Sequence, residues 1–126
     1  MSFLPRRDRR YLDSRGVAFR EHVEGANKGV ILTGITLPEG KYQVPEADIL
    51  ILLPQSYPDV APDMFFAVPH LRLVEGQREP RCTEARHSFD GKIWQRWSRH
   101  NNQWRPGTDG IWTMLKRVEE ALEVAA

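Results

Sequence analysis

Apolar and β-branched residues are concentrated in four short segments of the first half of the chain, each bounded by turn-forming residues. These segments cover residues 17–23, 29–37, 47–53 and 64–68. Runs of this length and composition predict β-strands, and their close succession predicts an antiparallel meander. The run from Ile49 to Leu53 is continuously apolar and is bracketed by Pro45 and Pro54, so it predicts a central strand buried on both faces.

Two helical patterns flank the four predicted strands. Residues 8–14 predict a short N-terminal helix that Gly16 would end, because glycine suits the left-handed C-terminal cap. Near the C-terminus, one apolar face is formed by Ile111, Leu115, Val118 and Leu122, and Thr108 or Asp109 is expected to cap the helix start. Together the patterns predict an α+β fold whose C-terminal helix lies across the sheet.

Between His70 and Pro106 no segment keeps a helical or strand period for more than a few residues. Such long connections inside compact domains are usually functional or disordered, and three tryptophans in this stretch argue against disorder. We therefore predict one long ordered loop there. The length of 126 residues predicts a single domain spanning residues 1–126.

Composition narrows the function classes only slightly. The formal net charge of +1 gives no general attraction to nucleic acid or to anionic membranes. Cys82 is the single cysteine, which excludes an internal disulfide framework, and neither a signal-peptide pattern nor a membrane-spanning apolar run is present. A cytoplasmic location is expected. The histidines lack metal-ligand spacing, so neither a metal site nor a cofactor is predicted.

Three short motifs follow one another in a diagnostic order. Tyr57-Pro58 with Pro62 comes after the third predicted strand, Gly91-Lys92-Ile93 lies in the predicted loop, and Trp104-Arg105-Pro106 precedes the last helix. This order resembles the ubiquitin-conjugating (UBC-like) fold and covers most of the chain. The resemblance implies a four-stranded meander, a long active-site loop, and two partners, a ubiquitin-like protein and its adenylating (activating) enzyme.

The chain departs from the general pattern of that family at two positions. Trp94 stands where the family has its cysteine, and Trp94 cannot carry an acyl group. His87-Ser88-Phe89 stands where the family has His-Pro-Asn, so the usual oxyanion donor is in doubt. With Trp-Gln-Arg-Trp-Ser-Arg-His at residues 94–100, the chain resembles divergent bacterial relatives of ubiquitin-conjugating enzymes.

Ser98 is the first candidate for the missing nucleophile. His100 is a candidate general base for it, because residues two apart in an extended segment face the same side. The alternative is that Ser98 caps a turn and His100 fills a polar niche. Arg96, Trp97 and Arg99 surround this pair in sequence and are candidate binding residues, whereas structural roles are expected for Trp94, Trp104 and Pro106.

Cys82 is the alternative acceptor, since a thiolate is intrinsically the better nucleophile and Arg81 and Arg86 are close enough in sequence to lower its pKa. The leading hypothesis is a carrier that holds the C-terminus of a ubiquitin-like protein as an oxyester on Ser98 or a thioester on Cys82. The alternative is a non-catalytic UBC-like domain that binds such a protein or scaffolds a complex. Nucleic-acid binding by the Trp/Arg-rich segment is disfavoured, because acidic residues dilute its charge.

Overall fold

A computed structural model describes residues 2–100 and 103–126 of the chain. In chain order, the helices and strands of these residues are α1 (Arg6–Ser14), β1 (Ala18–Glu24), β2 (Asn27–Thr36), β3 (Glu46–Leu53), β4 (Phe65–Val68), β5 (Arg86–Phe89), β6 (Lys92–Trp97) and α2 (Ile111–Val124). A single 3-10 turn, Glu75–Gln77, lies between β4 and β5. The four segments of the predicted meander are confirmed as β1 to β4, and α1 begins slightly earlier than predicted.

The strands form one sheet in the order β1-β2-β3-β4-β6-β5, and every neighbouring pair is antiparallel. The prediction that Ile49 to Leu53 form a central strand is confirmed, because β3 lies between β2 and β4. Ile49, Leu50 and Ile51 are fully buried, which agrees with a strand covered on both faces.

The predicted count of four strands and the predicted long irregular loop are both wrong. Within residues 70–106, β5 and β6 form a hairpin that extends the sheet to six strands. Asp90 and Gly91 make its turn, with φ of 55° and 69°, and Asp-Gly is a preferred pair for tight hairpins. The alternation of β6 was obscured because the polar Gln95 is buried in it. The Asp-Gly pair is the sequence signal that could have revealed the hairpin.

The main core lies between the sheet and the two helices. All four residues of the predicted apolar face of α2, Ile111, Leu115, Val118 and Leu122, are buried there, which confirms that face. From the sheet, this core receives alternate residues of several strands: Val30, Leu32, Ile49, Ile51, Phe65, Ala67 and Trp97. Burial of these apolar surfaces is the main force that holds the helices to the sheet.

A second, smaller core covers the opposite face of the sheet. It consists of the intervening residues of the same strands together with the end of β5: Ile31, Leu50, Phe66, Phe89 and Trp94. Phe89 packs directly over the backbone of Gly29, where an added Cβ would lie 2.7 Å from the Phe89 ring. The β5–β6 hairpin therefore covers a face that would otherwise be exposed, which explains why the strands are apolar on both sides.

The start of α2 differs from the prediction. Gly110 is the N-cap residue, whereas Thr108 or Asp109 was expected. Asp109 instead accepts hydrogen bonds from the backbone N–H of Arg105 at 2.8 Å and from the hydroxyl of Thr113 at 3.0 Å. The buried carboxylate of Asp8, from α1, accepts from the N–H of Ile111 at 3.5 Å. A negative group thus meets the helix N-terminus, where the helix dipole favours it.

No helix in the part of the chain that the structure describes combines the length and the apolar content needed to cross a membrane.

Candidate functional site

Ser98 lies immediately after β6, and its backbone still bonds the segment that precedes β5. The N–H of Arg96 donates to the carbonyl of Ala85 at 3.0 Å, and the N–H of Ser98 donates to the carbonyl of Cys82 at 3.1 Å. The second bond is offset by one residue from the β5–β6 register, so the pairing continues past the two strands with an irregularity in the 82–85 segment. The Ser98 side chain is half-buried, and its hydroxyl lies 3.7 Å from the sulfur of Met64.

The same backbone pairing brings the main chains of the two candidate acceptors, Ser98 and Cys82, together. Cys82 is far from Ser98 in sequence, yet its carbonyl is bonded to the Ser98 N–H. The thiol-bearing residue is exposed and has φ of 59°, a left-handed conformation that is uncommon for residues other than glycine. The structure thus places the backbones of both sequence-predicted acceptors side by side, beyond the end of β6 and before the start of β5.

His100 is held by a residue that sequence reasoning missed. Its Nδ1 lies 2.7 Å from Oδ1 of Asp63, and both side chains are largely exposed. Among the described residues, His100 is bonded to Asp63 and not to Ser98. When a carboxylate engages Nδ1, the neutral ring keeps Nε2 as its proton acceptor. The signal for Asp63 was its position directly after Pro62, the last residue of the Tyr-Pro-x-x-x-Pro motif.

Trp97 and Arg99 lie on the helix side of the strand end. Trp97 is fully buried and donates from its Nε1 to Oε1 of Gln95 at 2.9 Å. The guanidinium of Arg99 stacks over the Trp97 ring, with its central carbon 4.9 Å from the ring centroid. A cavity of about 230 Å³ opens beside them, and its lining includes Phe65, Arg99, His100, Met114, Arg117 and Val124.

Trp94, at the place of the family cysteine, is fully buried within β6. Its indole N–H donates to the carbonyl of Phe89 at 2.9 Å, and its ring belongs to the second core. A side chain at this position faces the interior, so an acyl acceptor there would be closed to a protein partner. Trp94 is therefore a core residue of β6.

Buried Gln95 anchors the segment that carries Cys82. It accepts from the N–H of Leu71 at 2.9 Å and donates to the Leu71 carbonyl at 3.1 Å and to Glu79 at 2.8 Å. Burial alone would raise the pKa of Glu79, but hydrogen bonds from Gln95 and Arg86 outweigh it and lower that pKa. Because Arg86 is paired with Glu79 at 2.7 Å, its expected influence on Cys82 competes with this ion pair.

Trp104 is half-buried beside the Tyr-Pro motif. Its Nε1 donates to the carbonyl of Pro58 at 2.8 Å, and its ring centroid is 6.2 Å from that of Tyr57. The Tyr57 hydroxyl in turn donates to the buried Asp8 carboxylate. Pro106 is exposed and lies in the turn before α2. These contacts link the Tyr-Pro loop, α1 and the start of α2 into one assembly.

Burial shifts the pKa values of the two acidic groups in that assembly. The pKa of Asp8 is raised by burial, against the opposing effect of its hydrogen bonds from Tyr57 and Ile111. The pKa of Tyr57 is raised by burial and by the Asp8 carboxylate beside its hydroxyl. Within residues 2–100 and 103–126, no group of three or more His, Cys, Asp or Glu side chains converges in a way that could hold a metal ion.

An α+β fold with helices on one face of an antiparallel sheet, a Tyr-Pro motif after β3 and a Trp-x-Pro turn before α2 is consistent with the E2 class, the carriers of ubiquitin-like conjugation. The family model described as prokaryotic E2 family E matches residues 4–125, and the chain belongs to that family. This confirms the resemblance drawn from the three sequence motifs. No curated protein and no solved structure gives a significant match.

Proposed function

We propose that this protein accepts the C-terminus of a bacterial ubiquitin-like protein from an activating enzyme and holds it as an oxyester on Ser98. The observation that carries the proposal is the Asp63–His100 pair at 2.7 Å, two residues beyond a half-buried serine at a strand end. A carboxylate that orients a histidine, beside a hydroxyl that needs a base, is the arrangement that activates serine nucleophiles.

The proposed transfer begins with a thioester between the modifier and the activating enzyme. His100 takes the hydroxyl proton as the Ser98 oxygen attacks the thioester carbonyl. The new C–O bond replaces the C–S bond, and the thiolate leaves on the activating enzyme. In the free protein the Ser98 hydroxyl contacts Met64 and His100 lines the cavity beside α2, so His100 has to turn toward the hydroxyl when the partner binds. Catalytic hydrogen bonds commonly tighten only in such complexes.

Cys82 is the alternative acceptor within the same proposal. It is exposed, and its carbonyl is bonded to the backbone of Ser98, so a modifier delivered to one residue would be close to the other. The carrier function is then unchanged, but the intermediate is a thioester.

A non-catalytic domain that binds a ubiquitin-like protein or scaffolds a complex is the second candidate function. Its support is specific: Trp94 fills the family's cysteine position as a core residue, and the described structure contains no hydrogen bond between Ser98 and His100. Under this function Arg96 and Arg99 would bind a partner without any covalent step. The predicted binding role of Trp97 is wrong for direct contact, because its ring is fully buried and supports the Arg99 guanidinium from below.

The test is to incubate the protein with its activating enzyme, the modifier and ATP, and to separate the products on a denaturing gel. We expect an adduct that resists thiol reductant, yields to mild base, is lost in Ser98→Ala and persists in Cys82→Ala. An adduct that reductant cleaves and Cys82→Ala removes would assign the acceptor to Cys82. Absence of any adduct with a verified activating enzyme would favour the binding domain.

A further inference from the structure

Arg96 lies on the same face of the sheet as the Ser98 hydroxyl. The Ser98 hydroxyl contacts Met64, and Met64 lies two residues before Phe66, a member of the second core opposite α2. Trp94, two residues before Arg96, belongs to the core opposite α2, whereas Trp97 belongs to the core under α2. The Arg96 side chain is therefore on the face away from the helices.

Arg96 is partly buried without full satisfaction of its donors. Within the described residues, its Nε is buried and has no hydrogen-bond partner. The Nε2 of His87 is also buried and without a partner. The His87 ring lies 5.1 Å from that of Phe66, which is the β4 residue paired with Arg96. His87 thus reaches across β6 to the strand that pairs with Arg96. Two buried unsatisfied nitrogens on one face of the sheet are costly and call for an acceptor.

The usual source of an oxyanion donor is absent from this site. In the family pattern an asparagine follows the His-Pro pair, but Phe89 stands there and is fully buried in the second core. Phe89 has no side-chain donor. A reaction that forms a tetrahedral intermediate at Ser98 therefore needs a donor from another element, and Arg96 is a cation two residues away on the correct face.

We infer that Arg96, assisted by His87, binds the carbonyl oxygen of the modifier's C-terminal residue during the transfer of that residue to Ser98. This inference rests on the proposed function. During attack by the serine oxygen, the carbonyl electron pair moves onto the carbonyl oxygen, and the N–H donors of Arg96 stabilise the resulting charge. The charge disappears when the carbonyl re-forms and the thiolate of the activating enzyme leaves. Preorganised donors of this kind act mainly on the transition state.

The experiment measures the rate of adduct formation under single-turnover conditions as a function of the concentration of modifier-loaded activating enzyme. Arg96→Gln should lower the limiting rate by about 100-fold with little change in the concentration for half-maximal rate, because the lost interaction is made in the transition state. Arg96→Lys should recover part of the rate, since it keeps the charge without the planar fork.

Two further variants sharpen the assignment. His87→Phe keeps a ring between Phe66 and Phe89 but removes the unpaired nitrogen, and we expect a loss of about 10-fold. Lys28→Gln, which removes one positive charge from an exposed position of β2, should load at the wild-type rate and so controls for net charge. The thermal midpoint of each variant, compared with wild type, checks that the fold is retained.

The outcomes separate this inference from the proposed function. If Ser98→Ala still forms the adduct, or wild type forms none, the proposed function fails before Arg96 is considered. If Ser98 carries the adduct and folded Arg96→Gln loads at the wild-type limiting rate, Arg96 does not stabilise the intermediate and the inference is overturned. A wild-type rate in His87→Phe would remove His87 from the site.

Discussion

Arg20 of β1 forms an ion pair with Asp90 in the turn between β5 and β6, so the first and last strands of the sheet order are joined. Two neighbours strengthen the junction: the N–H of Asp90 donates to Glu24 at 3.0 Å, and the His22 ring meets Phe89 edge-on with centroids 5.2 Å apart. The curled sheet thereby holds the hairpin that carries Trp94, Arg96 and Ser98 against β1.

This junction predicts a stability that depends on acid pH. The hydrogen bond from Arg20 lowers the pKa of Asp90 below its ordinary value of 3.8, so the junction stabilises the fold above pH 3.8 and this contribution is lost as the pH falls through the lowered pKa. Asp90→Asn should lower the free energy of unfolding by less than about 1 kcal/mol near neutral pH, because solvent screens the partly exposed Arg20. Urea unfolding at several pH values should show the cost shrinking below 3.8; a constant cost would contradict the assignment.

Asp8 predicts a pH dependence of the opposite sign. Burial raises its pKa above 3.8, so the folded state is favoured while Asp8 is protonated, and stability falls as the pH rises from 3.8 through the raised pKa. Asp8→Asn keeps one acceptor oxygen but cannot ionise. We expect the wild-type free energy of unfolding to fall relative to that of Asp8→Asn as the pH rises from about 4 to neutrality. Parallel curves for the two proteins would exclude a raised pKa.

The crowding around Gly29 predicts that no residue with a Cβ atom fits at this position without a loss of stability. Its Cβ position would lie 2.7 Å from both Phe89 and Leu50, so Gly29→Ala should destabilise the fold by about 1–3 kcal/mol through overpacking. In a Phe89→Leu background the added methyl group has more room, and the penalty of Gly29→Ala should shrink. A double-mutant cycle measured by chemical denaturation tests this coupling; additive effects would show that Phe89 does not press on Gly29.

The sequence alone predicted those strands and that helix in which apolar residues recur without interruption. The segments that became β1 to β4 and the buried face of α2 have this property, because each buries a regular set of apolar residues. It failed for β5 and β6, whose inward positions include the amide of Gln95. That amide bonds the Leu71 backbone, a partner far away in sequence that no local pattern reveals.

The residues of the candidate site also fall into two groups, those that the sequence identified and those that only the tertiary structure identifies. Ser98, His100 and Cys82 were identified by residue type, and the structure adds that Ser98 and Cys82 share a backbone hydrogen bond. Asp63 and the orientation of Arg96 depend on how β4, β6 and the 82–85 segment pair, which follows from tertiary structure alone. Whether these residues act chemically stays a prediction for the experiments described above.

Trp104 stays a predicted structural residue. Because its side chain is only half-buried, replacing it should lower the free energy of unfolding by less than replacing a fully buried tryptophan would. Trp104→Phe removes the Nε1–H donor to Pro58 and should cost about 1 kcal/mol. Trp104→Ala also removes the ring beside Tyr57, but should cost less than the roughly 3–5 kcal/mol of a fully buried tryptophan. Chemical denaturation measures both values. Unchanged stability together with lost partner binding would make Trp104 a recognition residue instead.

Asp63 predicts a specific kinetic defect if His100 is the general base. Asp63→Asn preserves the shape of the side chain but removes the charge that orients the imidazole at 2.7 Å, so formation of the Ser98 adduct should slow by about 10-fold or more. His100→Asn should slow it further, by about 100-fold, within the range of general-base catalysis. Because Asp63 acts through His100, the double variant should be no slower than His100→Asn alone. Additive losses would show that the pair does not work as a unit.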